Sequence, residues 1–296
     1  MTGKQDRIAG LSLWNGPLDI EPLHGGLSNE SYTVACGGEK YVVRFGTDYP
    51  FHHVVREREV MTARAAHAAG FAPEVVHAEP GIMVSRFIEG QTYDGEDVRR
   101  NREEIARLMR RFHSGLPAHV SGAGFIFWVF HVIRDYAHTL KRGKSRFESE
   151  LPRYLDLAEK LETVQAPLPI VFGHNDLLPA NFLDDGHKFW LIDFEYAGFS
   201  TAMFDIAGAA SNAEMTGDEA QVLLEAALGS RPDATVTRSL HAMQCASLLR
   251  ETMWSLVSEL YLDAPGADYQ TYTAENLARL DAALDQYHST YGKTPS

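Results

Sequence analysis

Val171–Gly198 reads VFGHNDLLPANFLDDGHKFWLIDFEYAG, and MFDIA follows at Met203–Ala207. His174, Asp176 and Asn181 stand in the spacing HxDxxxxN. An Asp-Asp-Gly turn follows, then the apolar run Phe189 to Ile192, which ends on Asp193. Asp-Gly between two short apolar segments is a hairpin signal. The hairpin is expected to carry Asp193 back beside Asn181. Two carboxylates and one amide in one place suit metal-assisted phosphoryl transfer. Asp176 can accept a hydroxyl proton, and Asn181 and Asp193 offer oxygen ligands to a hard cation such as Mg²⁺. Glu195, two residues beyond Asp193, is expected to face the same side on an extended backbone, toward metal or substrate.

The spacing resembles the catalytic loop of protein kinases, with Asn175 where those enzymes have Arg and Asp-Phe-Glu where they have Asp-Phe-Gly. HNDLLPAN and LIDFEYAG narrow the resemblance to the choline/ethanolamine kinases, within the wider aminoglycoside-phosphotransferase-like group of small-molecule kinases. It covers nearly the whole chain, with its specific motifs between Arg44 and Trp254. It implies an α+β, two-lobed protein-kinase-like fold: a small antiparallel-sheet lobe with one helix, then a mostly helical lobe. It implies ATP and Mg²⁺, and a small cationic amino alcohol as acceptor, choline or ethanolamine before thiamine or an aminoglycoside. His174 is grouped with Asp176 as a catalytic-loop residue that braces the loop. Asp205 is expected to hold the loop backbone.

Working outward, residues 1–90 form the expected nucleotide-binding lobe and residues 91–296 the catalytic and substrate lobe. A short helix is expected over Ile8–Ile20. The loop Gly25–Asn29 offers backbone N–H groups and the Ser28 and Asn29 side chains to phosphates, with Gly26 allowing the tight turn. Strands are expected over Ser31–Ala35 and the YVVRF segment ending at Phe45, joined through a Gly-Gly turn. The resemblance gives Arg44 the place of the phosphate-binding strand cation, a bidentate donor. It gives Glu59 the place of that cation's partner on the following helix, with Glu57 left open as an alternative. That helix stops at Gly70. Met83–Phe87 resembles the strand that meets adenine between kinase lobes.

Beyond residue 90 the pattern is helical: Glu96–Phe112, Leu151–Leu161, Glu219–Leu228, a long apolar helix around RETMW, and Glu275–Tyr287. His113 is read as a helix cap and Trp128 as core or pocket wall. A trimethylammonium group has no N–H to donate, so it is held by aromatic faces with acidic groups nearby. Glu195, Tyr196, Trp254 and Tyr261 are the candidates. Trp254 is supported by the resemblance of RETMW to the choline-kinase segment carrying a substrate-side Trp.

The chain of 296 residues is 45% hydrophobic with net charge −13, which disfavours nucleic acid and anionic membrane surfaces as partners. Cys36 and Cys245 are expected as buried free thiols in a reducing compartment. No apolar run is long enough to span a bilayer, and a cytoplasmic location is expected. Two readings compete with the kinase: a non-catalytic nucleotide or quaternary-amine binding protein, and a metal-dependent hydrolase. The first is weakened by the presence of Asp176, Asn181 and Asp193 together, the second by the lack of clustered histidines.

Overall fold

A computed structural model of the chain describes residues 3–23, 29–122, 124–262 and 267–292. The chain divides into two compact units, Met1–Gln91 with Leu183–Glu195, and Thr92–Phe182 with Tyr196–Ser296.

The first unit begins with helix α1, Gly3–Ala9. The helix expected to reach Ile20 stops here, because Gly10, Gly16 and Pro17 interrupt it; Asp19–Leu23 is instead strand β1. β2 (Glu30–Cys36) and β3 (Glu39–Phe45) form the expected hairpin. Its two-residue turn puts Gly37 at φ 61° and Gly38 at φ 84°, the left-handed pair that a tight hairpin needs. Helix α2 (Arg56–Ala68) follows, then β4 (Val75–Glu79) and β5 (Ile82–Arg86). Among the described residues the sheet order is β1-β2-β3-β5-β4, all antiparallel. β1 lies at an edge, where Pro22 costs no ladder bond to a second neighbour. Tyr32, Val34, Val43, Phe45, Ile82 and Val84 pack with Ile8 and Leu11 into this unit's core. The alternation along β2 and β3 is therefore the inward face of a half-buried sheet.

β6 (Gln91–Thr92) leads to α3 (Gly95–Arg100) and α4 (Arg102–Gly115). The single helix expected over 96–112 is split at Asn101, whose ψ of 18° departs from the helical value. The aromatic segment continues into α5 (Val129–Arg142), followed by α6 (Leu151–Thr163) and strand β7 (Ile170–Gly173). The expected hairpin is β8 (Phe182–Asp184) beside β9 (Phe189–Leu191). Asp185 shapes its loop by accepting from the backbone N–H groups of His187 and Lys188 and from the Trp190 indole. Those bonds hold its carboxyl down to about 2. β10 (Gly198–Thr201) pairs with β7, and α7 (Ala202–Asn212), α8 (Gly217–Leu228), α9 (Ala234–Tyr261) and α10 (Tyr269–Tyr291) complete the second unit. α9 is buried along its centre and packs on α5, α7 and α10. Cys36 and Cys245 are buried free thiols, and burial pushes the Cys245 thiol up to about 12. Among the described residues no helix is long and apolar enough to cross a membrane.

Candidate active site

In the second unit, the loop after β7 is fastened from below by Asp205. This residue lies in the first turn of α7 and is 2% exposed. One oxygen accepts from the His174 N–H at 2.9 Å and lies 2.6 Å from His113 Nε2; the other accepts from the Asn175 N–H at 2.7 Å. A carboxylate only accepts, so His113 Nε2 carries the hydrogen. Burial disfavours the Asp205 charge, yet the His113 bond, the neighbouring histidines and the backbone N–H group of His174 hold its carboxyl below the usual range. The expected role of Asp205 is thus observed, while His113 is not a simple helix cap but the side-chain partner of that carboxylate.

Asn175 stands at φ 62°, and its amide donates to the carbonyls of Tyr196 and Gly198 at 3.1 and 3.2 Å. A Cβ on Gly173 would come within 2.8 Å of Asn175 Oδ1 and 3.2 Å of Asp205 Oδ2, so only glycine permits this approach. His174 is fully buried, with its ring 6.3 Å from that of Phe112. It is placed to support the loop from inside. Asn181 Nδ2 donates to the Asp176 carbonyl at 2.8 Å, which leaves Oδ1 as the amide's acceptor. Asn212 holds the Leu177 carbonyl at 3.2 Å. The loop therefore presents Asp176 from a backbone pinned at several points.

Around Asp176 the same unit gathers groups that sequence reasoning left without roles. Arg250 Nη1 lies 3.8 Å from Asp176 Oδ1 and donates to Glu251 Oε2 at 2.7 Å. Tyr272 donates its hydroxyl to Glu251 Oε1 at 2.8 Å. The Arg250 guanidinium lies over the Tyr196 ring, 4.5 Å from its centroid. Burial opposes the Arg250 charge, but Glu251, Tyr136, Tyr196 and Asp176 outweigh it and hold the pKa above the ordinary arginine value. Trp254 lies in the same cluster. It is 7% exposed, donates its indole N–H to Tyr196 Oη at 2.9 Å, and packs edgewise on Tyr269 and Tyr272. Tyr261 ends α9 two turns further on, 43% exposed, with its hydroxyl beside Gly143. Trp128 is tied to Glu162 by its indole N–H at 2.7 Å. An Arg-Glu pair inside an otherwise apolar helix was the available signal for Arg250 and Glu251. Tyr272, from the next helix, carried none.

In the first unit, Arg44 joins three carboxylates. Nη1 meets Glu59 at 2.8 Å, and Nη2 meets Asp193 at 2.7 Å and Glu195 at 3.3 Å. Glu59 is buried and Glu57 exposed, which decides between them. Burial works against the Arg44 charge, but Asp193, Glu59 and Glu195 together hold its pKa above the ordinary value. Arg56, one helical turn before Glu59, meets Glu59 at 2.6 Å and Glu195 at 2.9 Å. Asn29 Nδ2 reaches Glu195 at 3.3 Å. Asp193 is left-handed at φ 67°, not extended, so the alternation argument for Glu195 fails even though both side chains meet Arg44. Glu195 is 4% exposed and belongs to a buried network with two arginines. Burial and the Asp193 charge push its carboxyl above the usual range against the pull of Arg44 and Arg56. Gly26 and Ser28 lie outside the described residues.

The choline/ethanolamine kinase family model matches residues 20–221. Protein LicA of Haemophilus influenzae is 26% identical over 208 residues, 68% of this chain and 60% of that protein. A probable ethanolamine kinase of Arabidopsis thaliana is 29% identical over 210 residues, 64% of this chain and 54% of that protein. The match thus spans a little over half the length of these relatives. The solved structure of a choline/ethanolamine kinase family protein from Mesorhizobium loti superposes with a TM-score of 0.76 at 27% identity, covering 96% of this chain and 95% of that one. The expected kinase-like α+β fold is borne out. With the family model matched over residues 20–221, about two thirds of its length, the chain belongs to the choline/ethanolamine kinase family.

Proposed function

We propose that this chain is an ATP- and Mg²⁺-dependent kinase that phosphorylates the hydroxyl of a small amino alcohol of the choline/ethanolamine class. The observation that carries the reading is the loop clamped by Asp205, which holds Asp176 forward and turns Asn181 into an acceptor beneath it. Asp176 takes the hydroxyl proton while the acceptor oxygen bonds to the γ-phosphorus. The bond from that phosphorus to the β–γ bridging oxygen breaks, and ADP leaves with the electron pair.

Arg44, held by Glu59, serves the nucleotide phosphates. Asn181 and Asp193 are the magnesium ligands. The fit is supported by Arg44 Nη2, a cationic nitrogen already shared by the Asp193 and Glu195 carboxylates. Magnesium, when bound, neutralises phosphate charge. Glu251 and Tyr272 form the acceptor's ammonium end, with Tyr196 and Trp254 packed behind them and Tyr261 left at its margin. ATP as donor and two buried free thiols suit the cytoplasm.

Purified protein with Mg-ATP should form ADP only when an amino alcohol is added. No turnover with choline or ethanolamine, or better turnover with an aminoglycoside or thiamine, would sink the reading. Asp193→Ala should cost more activity than Asn181→Ala and should raise the Mg²⁺ concentration for half-maximal rate, because a charged ligand is lost. A normal Mg²⁺ titration for Asp193→Ala would remove it from the metal.

A further inference from the structure

We infer that Arg250 makes this acceptor site select a primary ammonium over a quaternary one; this rests on the kinase reading above. Quaternary ammonium recognition depends on open aromatic faces, because the group has no hydrogen to donate. Here the faces are closed. Tyr196 is 4% exposed, and its ring already carries the Arg250 guanidinium at 4.5 Å. Arg250 is itself 3% exposed, also lies 5.8 Å from the Phe127 centroid, and makes no hydrogen bond through Nε or Nη2. A guanidinium committed to ring faces in this way fills the place a trimethylammonium would take. Trp254 is equally closed, its indole N–H spent on Tyr196 and its ring packed on Tyr269 and Tyr272.

The cluster leaves carboxylate accessible beside the half-buried Tyr272, whose hydroxyl is spent on Glu251. The side chains of Asp176 and Glu251 are 14% and 16% exposed, against 4% for Arg250. Each Glu251 oxygen has one partner, Arg250 or Tyr272, and a carboxylate oxygen can accept a second bond. A primary ammonium donates three such bonds; a trimethylammonium donates none. The charge count agrees, since Asp176 and Glu251 against Arg250 leave one negative charge for a singly charged amine.

The test measures kcat/KM for ethanolamine and choline with Mg-ATP in the full chain and in Arg250→Met. The wild type should favour ethanolamine. Opening the Tyr196 face should move the ratio toward choline by about five- to thirty-fold, the range of a desolvated cation–π contact. Losses common to both acceptors cancel in the ratio, so general damage does not mimic the effect. A wild type that favours choline, or a folded Arg250→Met protein with an unchanged ratio, overturns the inference while leaving the kinase reading intact. No turnover with either amino alcohol overturns both. If Arg250→Met fails to fold, competition in the wild type decides: methylammonium should inhibit ethanolamine phosphorylation more strongly than tetramethylammonium, and the reverse order overturns the inference.

Discussion

Asp176→Asn is expected to lower kcat by about 10²–10⁴-fold, the usual cost of losing a positioned base. The substitution keeps size and shape but removes the proton acceptor. ATP affinity should stay within about two-fold, since Arg44, the arginine proposed for the phosphates, is held by Glu59 within the other unit. Steady-state turnover and nucleotide titration on one preparation separate the two quantities. Near-normal kcat would exclude Asp176 as the base.

Asp205→Ala is expected to lower stability by about 3–5 kcal/mol, since each buried donor left without a partner costs about 1–3 kcal/mol. It would strip the acceptor from His113 and from the backbone N–H groups of His174 and Asn175 at once. Denaturant unfolding checks the magnitude. A loss below about 1 kcal/mol would mean that the loop does not depend on this carboxylate. The pH dependence has a definite sign. The folded-state carboxyl lies below its ordinary 3.8, so its stabilisation is present above that value and is lost as pH falls through the depressed one. The stability gap between wild type and Asp205→Asn should therefore narrow on acidification below about pH 4.

The parts legible in the sequence are those set by local pattern. The β2–β3 hairpin follows from two adjacent glycines that accept positive φ, and the loop from Val171 follows from spacing along one short segment. Asp205 was readable because it opens the next helix in an FDIA segment. What escaped reading depends on contacts distant in sequence. Glu195 is claimed by Arg56, 139 positions away, and Glu251 by Tyr272 on the following helix. The extended backbone assumed between Asp193 and Glu195 fails because a non-glycine residue adopts the left-handed region there, which tertiary context alone imposes. Trp254 entered the candidates through the resemblance of RETMW to a substrate-side segment; the partners that cover it, Tyr196, Tyr269 and Tyr272, are distant in sequence.

The division of the chain bears on its biosynthesis. The first compact unit takes in Met1–Gln91 and then Leu183–Glu195, so it is discontinuous in sequence. Asp193 and Glu195, which meet Arg44, emerge from the ribosome long after the strand that carries it. At about 5–20 residues per second, roughly 5–20 s separates the two pieces. During that interval Arg44 and Arg56 have only Glu59, of these three carboxylates, available to them. The nascent sheet can form early, but its charge network closes only when translation has passed residue 195. Neither piece, expressed alone, is expected to reproduce the pairing of the complete unit.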